Sequence, residues 1–112
     1  MTDFKDTLQK CMGNTGELAK ISPDFFKAND ELTKIAYASE TLDMKTKELI
    51  FLSFAIAKQC ESCIAVHVSK YIEAGGDRES LAELANLSIL MDGGPGMVYS
   101  GKVLEAFDQL SQ

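Results

Sequence analysis

From Leu49 to Ala57 the chain reads LIFLSFAIA, nine residues of which only Ser53 is polar. A stretch this short falls far below the roughly 20 residues needed to cross a bilayer, so it is expected in a protein interior and not in a membrane. A half-buried strand would alternate apolar with polar residues, and no such run occurs; apolar residues recur at spacings of three and four instead. The stretch is therefore predicted to lie within a helix that is apolar nearly all round, which must be covered on several sides. The fold class expected is all-α.

Turn and cap signals divide the chain into about six helices. The first is expected from about Asp3 to Met12, with Phe4, Leu8 and Cys11 on one stripe, before GNTG at 13–16 interrupts it; a short segment follows at Glu17 to Ile21. Ser22 is expected to cap a second helix with Pro23 at its first position and Phe25, Phe26, Leu32 and Ile35 apolar, ending near Ser39. Asp43 or Thr41 opens the third, which runs through the apolar stretch to about Lys58. A fourth spans Cys60 to Ala74 and stops at Gly75-Gly76, where glycine favours a left-handed end. Asp77 caps the fifth, which closes at DGGPG, and the last runs from Gly96 or Met97 to Leu110 with Val103, Leu104, Phe107 and Leu110 along one face.

With 112 residues, 46% of them hydrophobic, residues 1–112 are expected to form one domain with one modest core. Six short helices carrying this much apolar surface cannot hide it within one small subunit, so a homo-oligomer is expected. Seventeen acidic residues against 11 basic ones give a net charge of −6, and no basic block interrupts the balance. Nucleic acid and anionic membrane are not expected as partners, since both need a concentrated positive face. The first ten residues, MTDFKDTLQK, lack the apolar core of a secretory signal, and a cytoplasmic location is expected. Three cysteines in a reducing compartment argue against a disulfide framework. Cys11, with no Cys or His near it in sequence, reads as a partly buried small hydrophobe.

Chemistry concentrates in KQCESCIAVH, Lys58 to His67. If a helix begins near Cys60, its Cα and that of Cys63 stand roughly 5 Å apart, within the span of a disulfide. Free N–H groups and the dipole of the first turn stabilise a thiolate there, lowering a cysteine pKa from about 8.5 towards neutrality. His67 lies one turn beyond Cys63 on the same face, within reach of its sulfur, and a cysteine beside a base is a potential nucleophile. Lys70 adds positive potential or is simply solvated. A zinc site would use Cys60, Cys63 and His67 and would need Glu48 as fourth ligand, because no second cysteine pair or histidine exists. A c-type haem needs histidine directly after the second cysteine, where Ile64 stands, and an iron–sulfur cluster needs more thiolates. No metal or cofactor is expected, and a pair of buried structural thiols remains as the bland alternative.

Residues 41–110 resemble the alkylhydroperoxidase AhpD-like branch of the carboxymuconolactone decarboxylase family. The likeness rests on a glutamate, eleven residues, CxxC, three residues and a histidine, matched by Glu48, Cys60, Cys63 and His67, together with KELI, EAGGDRE and GGP. The resemblance implies a helical subunit assembled as a trimer or hexamer and thiol chemistry at the CxxC. It implies that Cys63 attacks a hydroperoxide to become a sulfenic acid and that Cys60 resolves it as a disulfide. A dithiol donor, such as a lipoyl-bearing protein, would restore the thiols, and exchange with a peroxiredoxin is the other role implied. His67 would shuttle the proton, with Glu48 orienting the imidazole or relaying the proton. On one continuous helix Glu48 would lie about 18 Å from Cys60, so the chain must turn near Lys58-Gln59 or a neighbouring subunit must supply the carboxylate. Without the family, Glu48 reads as an ordinary carboxylate near a helix start.

One departure stands at Ser62, where well-studied alkylhydroperoxidases carry a histidine; it bears on peroxide turnover more than on disulfide exchange. The function expected is a thiol-dependent antioxidant protein that reduces hydroperoxides or protein disulfides. The alternatives are a carboxymuconolactone decarboxylase-type lyase, for which Arg78 is the single arginine available to hold a carboxylate, and a non-enzymatic redox-sensing oligomer.

Overall fold

The computed structural model describes residues 1–112 as five helices: α1 (Phe4–Ile21), α2 (Pro23–Ala38), α3 (Met44–Ala57), α4 (Glu61–Glu73) and α5 (Arg78–Leu110). Aspartates open three of them. Asp3, Asp43 and Asp77 stand in extended backbone and accept hydrogen bonds from the N–H groups of Asp6, Thr46 and Ser80, satisfying donors that a helix start leaves free. Ser22 occupies the cap position of α2 with Pro23 behind it, as expected, but its hydroxyl makes no capping hydrogen bond.

Two boundaries test the glycine signals. At 13–16 the expected interruption is absent, and α1 runs unbroken through GNTG. Glycine costs a helix about 1 kcal/mol relative to alanine but leaves the backbone ladder intact, so a glycine pair without proline is not a stop. Near Gly93 the expected break is present: φ of 69° and ψ of −143° leave the helical region, and Pro95 sits at the start of the second arm of α5. Five helices with one broken in two thus replace the roughly six anticipated.

The core sits where α3, α4, α5 and the start of α1 meet. Leu52 and Ile56 of α3, Ile64, Val68 and Tyr71 of α4, Leu81 and Val103 of α5, and Phe4 of α1 are buried in one cluster. Burying each large apolar side chain fully contributes about 1.5–3 kcal/mol. Phe4 is further held by the C-terminal end of α5: its N–H donates to Gln109 Oε1 at 2.7 Å, and Gln109 Nε2 donates to the Thr2 carbonyl at 2.9 Å.

The apolar run of α3 is covered on one side only within the chain. Leu52, Ala55 and Ile56 are buried, whereas Ile50 and Phe54 are exposed and line an open groove of about 640 Å³ between α3 and α5 with Leu84, Leu87 and Met91. Helix α2 has no fully buried side chain: Phe26 and Tyr37 are half-buried, and Phe25, Leu32 and Ile35 are exposed. No helix is long and apolar enough to cross a membrane.

Candidate functional site

The site is made by the reversal between α3 and α4. Lys58 ends α3, Gln59 takes a left-handed φ of 55°, and the N–H groups of Gln59 and Cys60 return to the carbonyls of Ile56 and Ala55 at 3.1 Å each. Such a closure satisfies the last carbonyls of α3 and reverses the chain within two residues. Of the two routes open for Glu48, the turn at Lys58-Gln59 is the one taken, and no second subunit is needed to bring it to the cysteine helix.

Cys60 is the residue that opens α4. Its sulfur accepts the Cys63 N–H at 3.2 Å, so the first cysteine occupies the place that serine or aspartate holds elsewhere in the chain. The two cysteines are joined as a disulfide with Cα atoms 5.2 Å apart, matching the spacing that one helical turn dictates. Both are half-buried. Cys11 is free and half-buried on α1, as expected for a packing residue.

One helical turn after Cys63, His67 directs Nδ1 at Glu48 Oε1, 2.7 Å away. Glu48 is fully buried, and its other oxygen, Oε2, accepts from the Tyr37 hydroxyl at 2.6 Å. Burial alone would push this carboxyl up; hydrogen bonds from His67 and Tyr37, with the charges of His67 and Lys70, outweigh it and hold Glu48 below the usual glutamate value. Because Nδ1 faces the carboxylate, Nε2 is the nitrogen left for proton exchange. The imidazole is clamped in its plane by Phe51, whose ring stacks on it at 4.5 Å and 13°. Tyr37 stacks in turn on Phe51, with ring centres 5.7 Å apart.

Lys70 is exposed and lies 5.3 Å from the centre of the Tyr37 ring, so it is solvated yet contributes charge to the site. It also lines, with Lys34, Tyr37, Glu48 and Glu73, a cavity of about 400 Å³ that opens beside the buried carboxylate. No three His, Cys, Asp or Glu side chains converge as a metal-binding group. Arg78 makes a paired contact with Asp108 at 2.9 and 3.1 Å, tying the start of α5 to its end.

Three contributors were not singled out from sequence. Phe51 follows Glu48 by three and shares its helix face, a spacing that placed it beside the site. Tyr37 and Lys47 gave no such signal. Lys47 Nζ donates to the carbonyl of Tyr37 at 2.7 Å and to that of Ser39, capping the end of α2 from α3.

The Carboxymuconolactone decarboxylase family matches this chain over residues 23–106. The crystal structure of apo-lpg0406, a carboxymuconolactone decarboxylase family protein from Legionella pneumophila, superimposes with a TM-score of 0.93 at 32% identity, covering 97% of each chain. Two uncharacterized proteins are each 34% identical to this chain. The one from Cupriavidus necator aligns over 98% of this chain and 97% of its own length, and the one from Haemophilus influenzae over 95% and 94%. Family match, shared fold and full-length similarity lead to one conclusion: the chain belongs to the carboxymuconolactone decarboxylase family.

Proposed function

We propose that the protein is a thiol-dependent oxidoreductase of the alkylhydroperoxidase-like branch, acting on hydroperoxides or protein disulfides through Cys63 and Cys60. The observation that carries this reading is the Cys60–Cys63 disulfide at the start of α4, one turn from a histidine that is paired with a buried carboxylate. Two cysteines at that spacing, in a member of this family, support a redox-active centre.

In the reduced protein the first turn of α4 offers N–H groups and a positive dipole end to a Cys63 thiolate. The thiolate attacks one oxygen of a hydroperoxide, the O–O bond breaks, and the departing alkoxide takes a proton from His67 to leave as an alcohol. Cys63 is then a sulfenic acid. Cys60 attacks its sulfur, the S–O bond breaks, water departs, and the disulfide closes. Two electrons have passed from the two thiols to the peroxide. A dithiol donor, a lipoyl-bearing protein among the candidates, returns them by exchange. On a protein disulfide the same thiolate attacks one sulfur and expels the other as a thiolate, and Cys60 then attacks the Cys63 sulfur of the mixed disulfide, closing the Cys60–Cys63 bridge and freeing the first. Ser62 cannot relay a proton as an imidazole does, which favours disulfide exchange over rapid peroxide turnover.

The lyase reading is weaker because Arg78 is engaged with Asp108 and is not among the residues around Glu48 and His67. The exposed apolar face of α2 and the groove between α3 and α5 support assembly as a homo-oligomer, since a monomer seldom leaves so much apolar surface in water.

The test is to reduce the protein, add a small excess of organic hydroperoxide and map the bridge by mass. Loss of two hydrogens at Cys60–Cys63, reversed by a dithiol and abolished in Cys63→Ser, is expected. Activity retained in Cys63→Ser would refute the assignment. Light scattering at micromolar concentration is expected to give a multiple of the 12.2 kDa chain mass.

A further inference from the structure

Helix α2 is an anomaly in this fold. It has no fully buried side chain, yet the half-buried Tyr37 in its last turn reaches the one fully buried carboxylate of the chain. Lys47 already fastens the end of α2 to α3 through the carbonyls of Tyr37 and Ser39, so the phenol is not required as a tether. What the phenol adds is chemical. A buried carboxylate with one hydrogen bond is free to rotate about its last torsion, whereas Glu48 has one oxygen fixed by Tyr37 and the other facing His67.

We propose that Tyr37 is a positioning residue of the redox site: its hydroxyl holds the Glu48 carboxylate on His67 Nδ1 and thereby sets the pH at which Cys63 becomes reactive. This rests on the thiol chemistry proposed above and extends it to a helix outside the CxxC hairpin. The acceptor is a full charge out of water, so a phenol hydrogen bond of 2.6 Å is of the strong, charge-assisted kind. Burial, then the hydrogen bond to Glu48 and its charge, push the phenol well above its usual range, so it stays a donor at every physiological pH. The groups that share Glu48's surroundings are His67, Lys70 and Glu73 from α4 and Lys34 and Tyr37 from α2. Of these only His67 and Tyr37 hydrogen-bond the carboxylate; the lysines and Glu73 line the open cavity beside it. Without the phenol the carboxylate swings from the imidazole, Nδ1 loses its charged partner although Phe51 still holds the ring's plane, and His67 becomes a weaker partner for the Cys63 thiolate.

The experiment measures the alkylation rate of Cys63 by iodoacetamide against pH, read by peptide mass so that Cys11 and Cys60 do not interfere. It uses the full-length, dithiol-reduced protein as wild type, Tyr37→Phe, Glu48→Gln and the double variant. Phenylalanine keeps the ring that stacks on Phe51, and circular dichroism checks that each variant is folded. The expected result is an upward shift of the Cys63 midpoint by about half a unit or more in Tyr37→Phe, the scale of a partly lost charged hydrogen bond. The shift should vanish when Glu48 is already glutamine, since the phenol acts through that carboxylate. Superimposable profiles, a downward shift, or a shift that persists in the Glu48→Gln background would each overturn the proposal while leaving the redox centre standing. A wild-type Cys63 that titrates like a free thiol and ignores Glu48→Gln would remove the redox reading, and the role of Tyr37 with it.

Discussion

Glu48 Oε1 lies 2.7 Å from His67 Nδ1, although 19 positions separate the two residues and they sit on different helices. The contact exists because α3 and α4 fold back on each other at Gln59, and it sets which nitrogen of the imidazole is free. With Nδ1 facing a carboxylate, the ring is oriented as in many acid–base sites, where a buried acid fixes both the tautomer and the direction of the working nitrogen.

Replacing that acid by its amide tests the arrangement most directly. Glu48→Gln keeps the shape and one acceptor but removes the charge that stabilises an imidazolium at His67. The rate of peroxide-driven closure of the Cys60–Cys63 bridge, followed by stopped flow, is expected to fall by about tenfold or more, less than the roughly 100- to 10,000-fold of a group that itself transfers the proton, because Glu48 acts through His67. An unchanged rate would show that the carboxylate serves packing alone.

Acid stability follows from the same pair. Glu48 is held below its ordinary value of 4.5, so between that value and its folded one the native state binds fewer protons than the unfolded chain. Its contribution is fully present above about pH 4.5 and declines as the pH falls towards the folded value. Asp43, Asp77 and Asp108 act in the same sense, held down by hydrogen bonds from Thr46 N–H, the Ser80 hydroxyl and the Arg78 guanidinium. Urea midpoints measured from pH 6 to pH 3 are expected to drop in both wild type and Glu48→Gln, with the shallower slope in the variant. Parallel slopes would mean that Glu48 titrates normally in the fold.

How much of this site could be read from sequence depended on how far each relationship reached. Cys60, Cys63 and His67 share one helix, and 3.6 residues per turn fix their mutual spacing before any fold is known. The pairing of Glu48 with His67 is legible only through a family pattern, since its approach to His67 depends on a reversal at Gln59, a residue that carries no glycine-like signal for a left-handed backbone. Tyr37 was missed for a related reason: KIAYA reads as an ordinary helix end, and its role arises from how α2 lies against α3. GNTG shows the opposite error, in which a strong local signal was overridden because glycine weakens a helix without blocking it.

Gly76 is placed for contact and not for backbone freedom. A Cβ built there would stand 2.2 Å from Cζ of Tyr71, and the ring cannot yield because Tyr71 is fully buried and its hydroxyl donates to the Asp77 carbonyl at 2.7 Å. Gly76→Ala is therefore expected to destabilise the protein by about 1–3 kcal/mol, the usual scale of overpacking, read as a lower urea midpoint. A Tyr71→Phe, Gly76→Ala pair should recover little, since the clash is with the ring and not with the hydroxyl alone.

Gln59 presents the inverse case. Its φ of 55° is a conformation that costs a residue with a Cβ roughly 1–2 kcal/mol, and it stands immediately before the first cysteine of the site. Gln59→Gly removes that strain but adds backbone freedom to the unfolded chain, which returns part of the gain. A net stabilisation of about 0.5–1 kcal/mol is expected, seen as a higher urea midpoint with an unchanged slope. The gain should be smaller in the reduced protein if the strained turn is relieved when the Cys60–Cys63 bridge opens, and equal in both states if Gln59 is left-handed whatever the redox state. Measuring both midpoints therefore reports whether the α3–α4 reversal moves with the thiol chemistry it supports.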